Sequence, residues 1–339
     1  MQLVPDSLPL SSQSDSQSAS PATMDRRHYL GRHGHRADPS PSAPSASPSP
    51  SAQARHDRAV MASVVTAFKI NYLGPAYNLP KPYLDEETLQ TFGITIAGLS
   101  LTSGKPTHGR VAVLEPIPHD QMEKWITLTG TKTVDSDVAN LVHFPDHCLN
   151  HNHDEADALF RTIGYYLNDN ILGFFRPNIV RDFTCWEHFP NENTFLQKVS
   201  HNDWYVHGIM RYCKVKRPPA LDTRFPHNTS FVSDRNPLKD GILSKSELVA
   251  ILGLAFIFAS GALERDDLPF IVPVTIVSAS WRSCRVVQGV VDLTAKPKPL
   301  IDIRMSRIVS FQKGVKTPEA WPEMVKLLSI IVAKPIPVS

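Results

Sequence analysis

Cysteine is scarce in this chain. The four present, Cys148, Cys185, Cys213 and Cys284, never stand in a C-x-x-C spacing. That argues against a zinc ribbon or a thioredoxin-type redox motif and predicts reduced thiols in an intracellular protein, cytoplasmic or nuclear. An excess of one charge is missing too. With 35 basic against 33 acidic side chains the formal net charge is +2, so overall charge argues neither for nor against nucleic acid or an anionic membrane. The first twenty residues have no basic start and no continuous apolar core, and they contain acids and prolines, so no signal peptide is expected. Without secretion the acceptor-like Asn228-Thr229-Ser230 is fortuitous. The patterns G-x-S-x-G, H-E-x-x-H and G-x-G-x-x-G are absent, as is any repeat with a period of about 20 to 50 residues.

Aromatic and β-branched residues are nearly missing from positions 1 to about 60, which are dominated by Ser, Pro, Ala, Gln, Arg and His. Such a segment buries too little apolar surface to offset the entropy of ordering, and it is predicted to be a disordered tail. Within it the cationic DRRHYLGRHGHR precedes the Ser-Pro run PSPSAPSASPSPS. Serine before proline suits proline-directed phosphorylation, and a solvated extension explains the composition equally without a function.

Folded protein is expected from Met61. In FKINY, Phe68, Ile70 and Tyr72 alternate with polar residues, the period of a half-buried strand. GITIAGLSL (93 to 101) and RVAVLEPI (110 to 117) predict strands, DEETLQTF and DQMEKWITL short helices, and Leu159, Phe160, Ile163, Tyr166 and Leu167 a helix over 155 to 170. WYVHGIMRYCKVKR fits strand or helix. Residues 61–240 thus form a mixed α and β region.

The last hundred residues are plainer. Ser244 and Glu247 have the capping-box spacing and introduce LVAILGLAFIFASGAL. This apolar run is shorter than the roughly 20 residues of a membrane span and its flanks ELVA and LERDD are charged, so a buried core helix and no membrane contact are expected. Strands follow in PFIVPVTIVSA, CRVVQGVVDL and PLIDIRMSRIVSF, then a helix opened by Thr317 and Pro318 and carrying Trp321, Met324, Val325, Leu328 and Ile331 inward. Residues 241–339 therefore read as an α-β-β-β-α layer packed with the preceding region as one domain. The predicted class is α+β, a mixed or antiparallel sheet against helices.

The run VTIVSASWRSCRVVQGVVD, continued by IDIRMSRIVSF, resembles the closing segment of a loose group of uncharacterised fungal proteins. In that group a strand with small residues leads into R-V/I-L/V-Q and then an I-R-x-S strand. The resemblance is confined to this closing segment and implies no activity.

The strongest chemical signal is HCLNHNHDEAD, residues 147 to 157. Its last four letters name a helicase motif, in which Asp and Glu close a buried apolar strand beside a phosphate loop. No buried strand would contain HCLNHNH. The nearest phosphate-loop candidate, Gly98 to Pro106, has five residues between its glycines and Pro106 in place of the magnesium-binding hydroxyl. His143, His147, Cys148 and His151 include an i, i+4 series suited to zinc on a helix, interrupted by Pro145. An ordinary helix start accounts for the same stretch: Asn152 as N-cap, Glu155 three residues on, and acids at the positive end of the dipole.

A second catalytic possibility lies in the α-β-β-β-α layer, an order shared with restriction-endonuclease-like nucleases. There a carboxylate ending the second strand and a carboxylate-x-lysine on the third hold Mg²⁺. Asp292, Asp302 and Arg304 occupy comparable places, with Glu247 on the preceding helix. Arginine in place of lysine stays protonated and cannot act on the water. KVKRPP and the arginines 282, 285, 304 and 307 offer a basic surface that nucleic acid could use, or simply a solvated charged face. The sequence therefore predicts a non-enzymatic interaction or binding domain with a macromolecular partner and no small-molecule cofactor. Its rival is a metal-dependent nuclease-like hydrolase using Asp292 and Asp302 with Mg or Zn.

Overall fold

The β-branched runs of the C-terminal third form the centre of the molecule. β7 (Ile271–Ser280) and β8 (Ser283–Asp292) make a hairpin paired from Ile271↔Asp292 to Ser280↔Ser283. β9 (Leu300–Met305) continues it antiparallel to β8. The meander then grows at both sides. β1 (Ile94–Gly98) joins β9 in parallel, whereas β6 (Asn228–Asp234) joins β7 in parallel and is followed by antiparallel β4 (Trp204–Lys216) and β3 (Trp186–His188). The short β5 (Pro219–Leu221) on β4 and β10 (Val309–Ser310) on β8 complete a nine-stranded sheet among the described residues. β2 (Leu114–Glu115) and β11 (Lys334–Pro335) pair separately. The computed structural model describes residues 50–107, 111–129, 152–168, 178–188, 200–216, 219–221, 224–263 and 270–338, and Pro48–Ser339 form one compact unit.

Side chains alternate between the two faces of each strand. Val272, Val274, Ile276, Val287, Val291, Ile301 and Ile303 fill the first face, against α1 (Pro50–Phe68), α3 (Glu86–Phe92) and the apolar α6 (Lys245–Leu263). Val277, Ala279, Cys284 and Val286 fill the second, beneath α4 (His119–Leu128), α5 (Asn152–Asn168) and α7 (Trp321–Ile331). The mixed sheet with helices on both faces makes the fold α+β, as the patterning predicts.

α6 is the helix expected from LVAILGLAFIFASGAL, and its capping box is formed. The Ser244 amide donates to Glu247 Oε2 at 2.8 Å, and the Glu247 amide donates to Ser244 Oγ at 3.3 Å. By length and composition this helix could cross a membrane, yet 72% of its apolar window is buried inside the fold. Burying each of Leu248, Val249, Ile251, Leu252 and Phe258 contributes roughly 1.5–3 kcal/mol. The helix lies so close to the sheet that a Cβ on Gly289 would sit 2.4 Å from Ile251 Cγ2.

Four expectations are corrected. Helix α1 starts at Pro50, so the boundary near residue 60 is too late, and residues 1–49 of the expected tail lie outside the described residues. FKINY is not a strand: Phe68 ends α1 and Lys69–Leu73 form a π-helical turn leading into α2 (Gly74–Tyr77). Phe68 and Tyr72 stack at 5.5 Å and face inward while Ile70 is 65% exposed, so the i, i+4 pair decides over the alternation. RVAVLEPI supplies only the two-residue β2. α7 begins at Trp321, after a turn in which Thr317 Oγ1 accepts from the Ala320 amide. The ambiguous WYVHGIMRYCKVK is β4, a strand of 13 residues.

Candidate functional site

β9 displays Ile301, Ile303 and Met305 to the first core, so Asp302 and Arg304 project from the second face. On β8 the same alternation sends Gln288, Val290 and Asp292 to that face, because Val287 and Val291 belong to the first core. With Val290 opposite Asp302 and Asp292 opposite Leu300, Asp292 and Asp302 are diagonal neighbours on one surface. Each is already occupied locally. Asp292 Oδ1 accepts from the Thr294 amide, the Thr294 hydroxyl and the Ala295 amide at 2.8, 2.7 and 3.2 Å, closing the turn after β8. Asp302 Oδ2 accepts from Arg304 Nε and Nη2 at 3.1 and 3.0 Å.

Glu247 does not join them, because α6 lies across the first face. Its carboxylate takes both arms of Arg285, Nε to Oε1 at 2.7 Å and Nη2 to Oε2 at 2.6 Å. Arg285 also donates to the Lys239 and Ile242 carbonyls, each at 2.7 Å, and the two side chains are 1% and 0% exposed. Ser244, whose amide caps Glu247, shares a hydrogen bond with the Ser246 hydroxyl, which in turn donates to Asp234. Burial raises the Asp234 pKa above the ordinary carboxylate value despite its hydrogen bonds from Ser246 and Asn236. This network joins the start of α6 to β6 and β8. The three carboxylates proposed for metal-dependent hydrolysis are thus divided between opposite faces.

The second face carries a polar row that the sequence analysis did not single out. Thr229 lies opposite Thr275, Thr275 opposite Gln288, and Gln288 opposite Arg304, across β6, β7, β8 and β9. All four are buried. Arg304 keeps its pair with Asp302, but its Nη1, both amide atoms of Gln288 and the Thr229 hydroxyl have no hydrogen-bond partner among the described residues. Burial lowers the Arg304 pKa from its ordinary value. Beside the row, His227 is buried with Nε2 at 2.9 Å from the Val113 carbonyl, and desolvation pulls its pKa down to about 4. A signal for the row existed in the sequence: Gln288 interrupts the apolar VVQGVV.

His143, His147, Cys148 and His151 lie outside the described residues, as does the side chain of Asn152. Among the described residues no group of three or more His, Cys, Asp or Glu could hold a metal ion. Two acids of the helicase letters tie α5 to the sheet: Glu155 Oε1 lies 3.5 Å from Arg282 Nη2, and Asp157 Oδ1 lies 3.2 Å from His207 Nε2. Gly98 to Pro106 is a closed turn, with Leu99 bridged to Pro106 and the Gly104 amide donating to the Ser100 carbonyl at 2.8 Å, and it leads into no helix. Arg285 and Arg304 are buried and Arg307 pairs with Glu323 at 2.8 Å, so the four arginines do not assemble into one basic surface. Asn228 is 1% exposed and accepts from Arg211 Nε, which closes the glycosylation-like triplet.

A large concave feature lies outside the first core. Between α1, α3 and the loop 293–299, an open groove of about 1090 Å³ has Met61, Val64, Phe68, Tyr72 and Phe92 on its apolar floor. Asp85 caps the start of α3, with Glu87 in its first turn, while the Lys298 side chain lies against Gly93 just past the end of that helix and Lys296 lines the same loop. One wall therefore carries acids at one end, where Lys81 Nζ pairs with Asp85 Oδ2 at 2.8 Å, and lysines at the other. In comparison with known proteins, no family model, no curated protein and no solved structure matches the chain.

Proposed function

We propose that this protein is a non-enzymatic binding module that takes an amphipathic helix of a partner protein into the groove between α1, α3 and the loop 293–299. The single observation supporting it is an apolar floor bounded by charge of opposite sign at its two ends. A volume of about 1090 Å³ open to solvent exceeds the usual 300–1,000 Å³ of small-molecule pockets, whereas helix-in-groove recognition needs a long apolar trough. The seven residues of α3 extend about 10 Å, so Glu87 and Lys298 stand roughly two helical turns apart. The fitting partner presents leucine-like residues on one face, acidic residues toward Lys296 and Lys298, and a basic residue toward Glu87. Its apolar ridge supplies affinity and its charges set orientation.

The experiment is fluorescence polarisation with a labelled helical peptide of that design. A Kd of about 10 µM or tighter is expected, and the double reversal Lys296→Glu, Lys298→Glu, at exposed positions, should weaken it about tenfold. A control peptide with its apolar face replaced by serine should not bind. Equal binding of both peptides, or indifference to the charge reversal, rejects the proposal.

A further inference from the structure

Two of the four cysteines meet at β3, the edge strand at the far end of the sheet from β1, and neither lines the groove. β3 pairs antiparallel with β4 in the register Trp186↔Tyr212, Glu187↔Arg211, His188↔Met210. One step back along β3 the same register sets Cys185 opposite Cys213, and the Cys213 amide donates to the Cys185 carbonyl at 2.8 Å. Directly opposite residues share a face of the sheet. Trp186 and Tyr212 meet edge to face on the second face, with ring centroids 5.7 Å apart, so alternation sends both cysteines to the first. A directly opposed pair joined by such a bond has its Cα atoms about 5.5 Å apart, inside the roughly 4.4–6.8 Å that a disulfide spans.

The two thiols differ in access. Cys185 is exposed, at the bend just before β3, whereas Cys213 is 1% exposed and flanked on its other side by Leu221 of β5. Cys213 Sγ lies 3.8 Å from the Arg211 carbonyl, a weak contact that a rotation about χ1 exchanges for Cys185. Cys284 is the contrast: burial pushes its thiol up to about 12, so it stays protonated and out of exchange. We propose that Cys185 and Cys213 are a reversible dithiol site whose co-substrate is a small disulfide such as glutathione disulfide. The Cys185 thiolate attacks one sulfur of that disulfide, its S–S bond breaks, and one glutathione leaves as thiolate. The Cys213 thiolate then attacks Cys185 Sγ in the mixed disulfide, forms the bond between the two cysteines and expels the second glutathione. The protein loses two electrons, the glutathione disulfide gains them, and the two cysteine protons end on the departing thiolates. The exposed cysteine is the point of entry and the buried one resolves it. A bond at an exposed sheet edge is reduced again by excess thiol, so the site is a switch that clasps the start of β3 to β4.

Incubation of the full chain with glutathione disulfide under native conditions, then alkylation with N-ethylmaleimide in denaturant and peptide mass mapping, tests this. A cross-linked peptide joining Cys185 to Cys213 is expected, and dithiothreitol should abolish it. The oxidised chain should melt about 5 °C or more above the reduced one, because the bond closes a loop between residues 28 positions apart. Cys213→Ala removes the resolving thiol and should leave Cys185 carrying one glutathione. Cys185→Ser, at an exposed position, should melt with the reduced wild-type chain and show neither the cross-link nor any shift on oxidation. Alkylation of both cysteines after oxidation, a mixed disulfide that persists on Cys185 in the wild-type chain, or Cys185 joined to Cys148 instead overturns the proposal. So does an unchanged or lower melting temperature on oxidation, which would mean that the bond forms only by distorting the sheet.

Discussion

Removing the Glu247 carboxylate measures what that residue does. In Glu247→Leu the Arg285 guanidinium, 1% exposed, loses both short charge-assisted hydrogen bonds and keeps only the Lys239 and Ile242 carbonyls. Breaking one side of a buried pair leaves an uncompensated charge and costs about 3–5 kcal/mol, a large share of the roughly 5–15 kcal/mol that stabilises a typical domain. At about 2–4 °C per kcal/mol for a protein of this size class, melting should fall by about 10 °C. The double variant Glu247→Leu, Arg285→Met removes the stranded charge as well, and it should recover about 2–3 kcal/mol of the loss. Urea unfolding followed by circular dichroism, with constant slope across the four proteins, gives the double-mutant cycle. If Glu247→Leu costs less than about 1 kcal/mol, or the two substitutions add within about 0.5 kcal/mol, the pair does not hold α6 to β8, and Glu247 becomes free for another role.

Two other perturbations follow from the packing. His227 is buried with its pKa pulled from 6.5 to about 4. The unfolded chain takes up that proton near 6.5, so stability is full above this pH, falls as pH drops toward about 4, and changes no further from this group below it. About 2 kcal/mol should be lost by about pH 5. Replacing His227 with leucine should flatten this part of the pH–stability profile, and an unchanged slope would show that another group carries it. Gly289→Ala would place a methyl group 2.4 Å from Ile251 Cγ2, and overpacking of this kind costs about 1–3 kcal/mol. Pairing it with Ile251→Val should restore much of the loss in chemical denaturation, and failure to do so would mean that α6 simply moves outward.

Much of the fold was legible where one local pattern dominated. The β-branched runs of β7, β8 and β9 and the all-round apolarity of α6 admit one solution each, a strand in the middle of a sheet and a helix inside a core. The capping box at Ser244 and Glu247 also reads directly from spacing, because its two hydrogen bonds are local. FKINY failed for the opposite reason: five residues satisfy a period of two and an i, i+4 contact at once, and only the first core chose between them. Residues 50–60 lack the bulky apolar side chains that mark a helix in isolation, yet they form the first turns of one whose later residues Val65 and Phe68 are buried.

The candidate sites divide along the same line. Sequence alone singled out Asp292, Asp302, Arg304 and Glu247 as a possible catalytic set, with the first three on strands and Glu247 on the preceding helix. Tertiary structure decided which face each residue occupies, because the side of a sheet that a helix covers depends on contacts far apart along the chain. That placement put Glu247 with Arg285 on the first face and Asp302 with Arg304 on the second, where Gln288 and Thr229 join them from separate strands. The groove is likewise a product of assembly. Its walls come from α1, α3 and the loop after β8, segments more than two hundred residues apart in part, and no local pattern carries the chemistry of a surface that exists only once they meet.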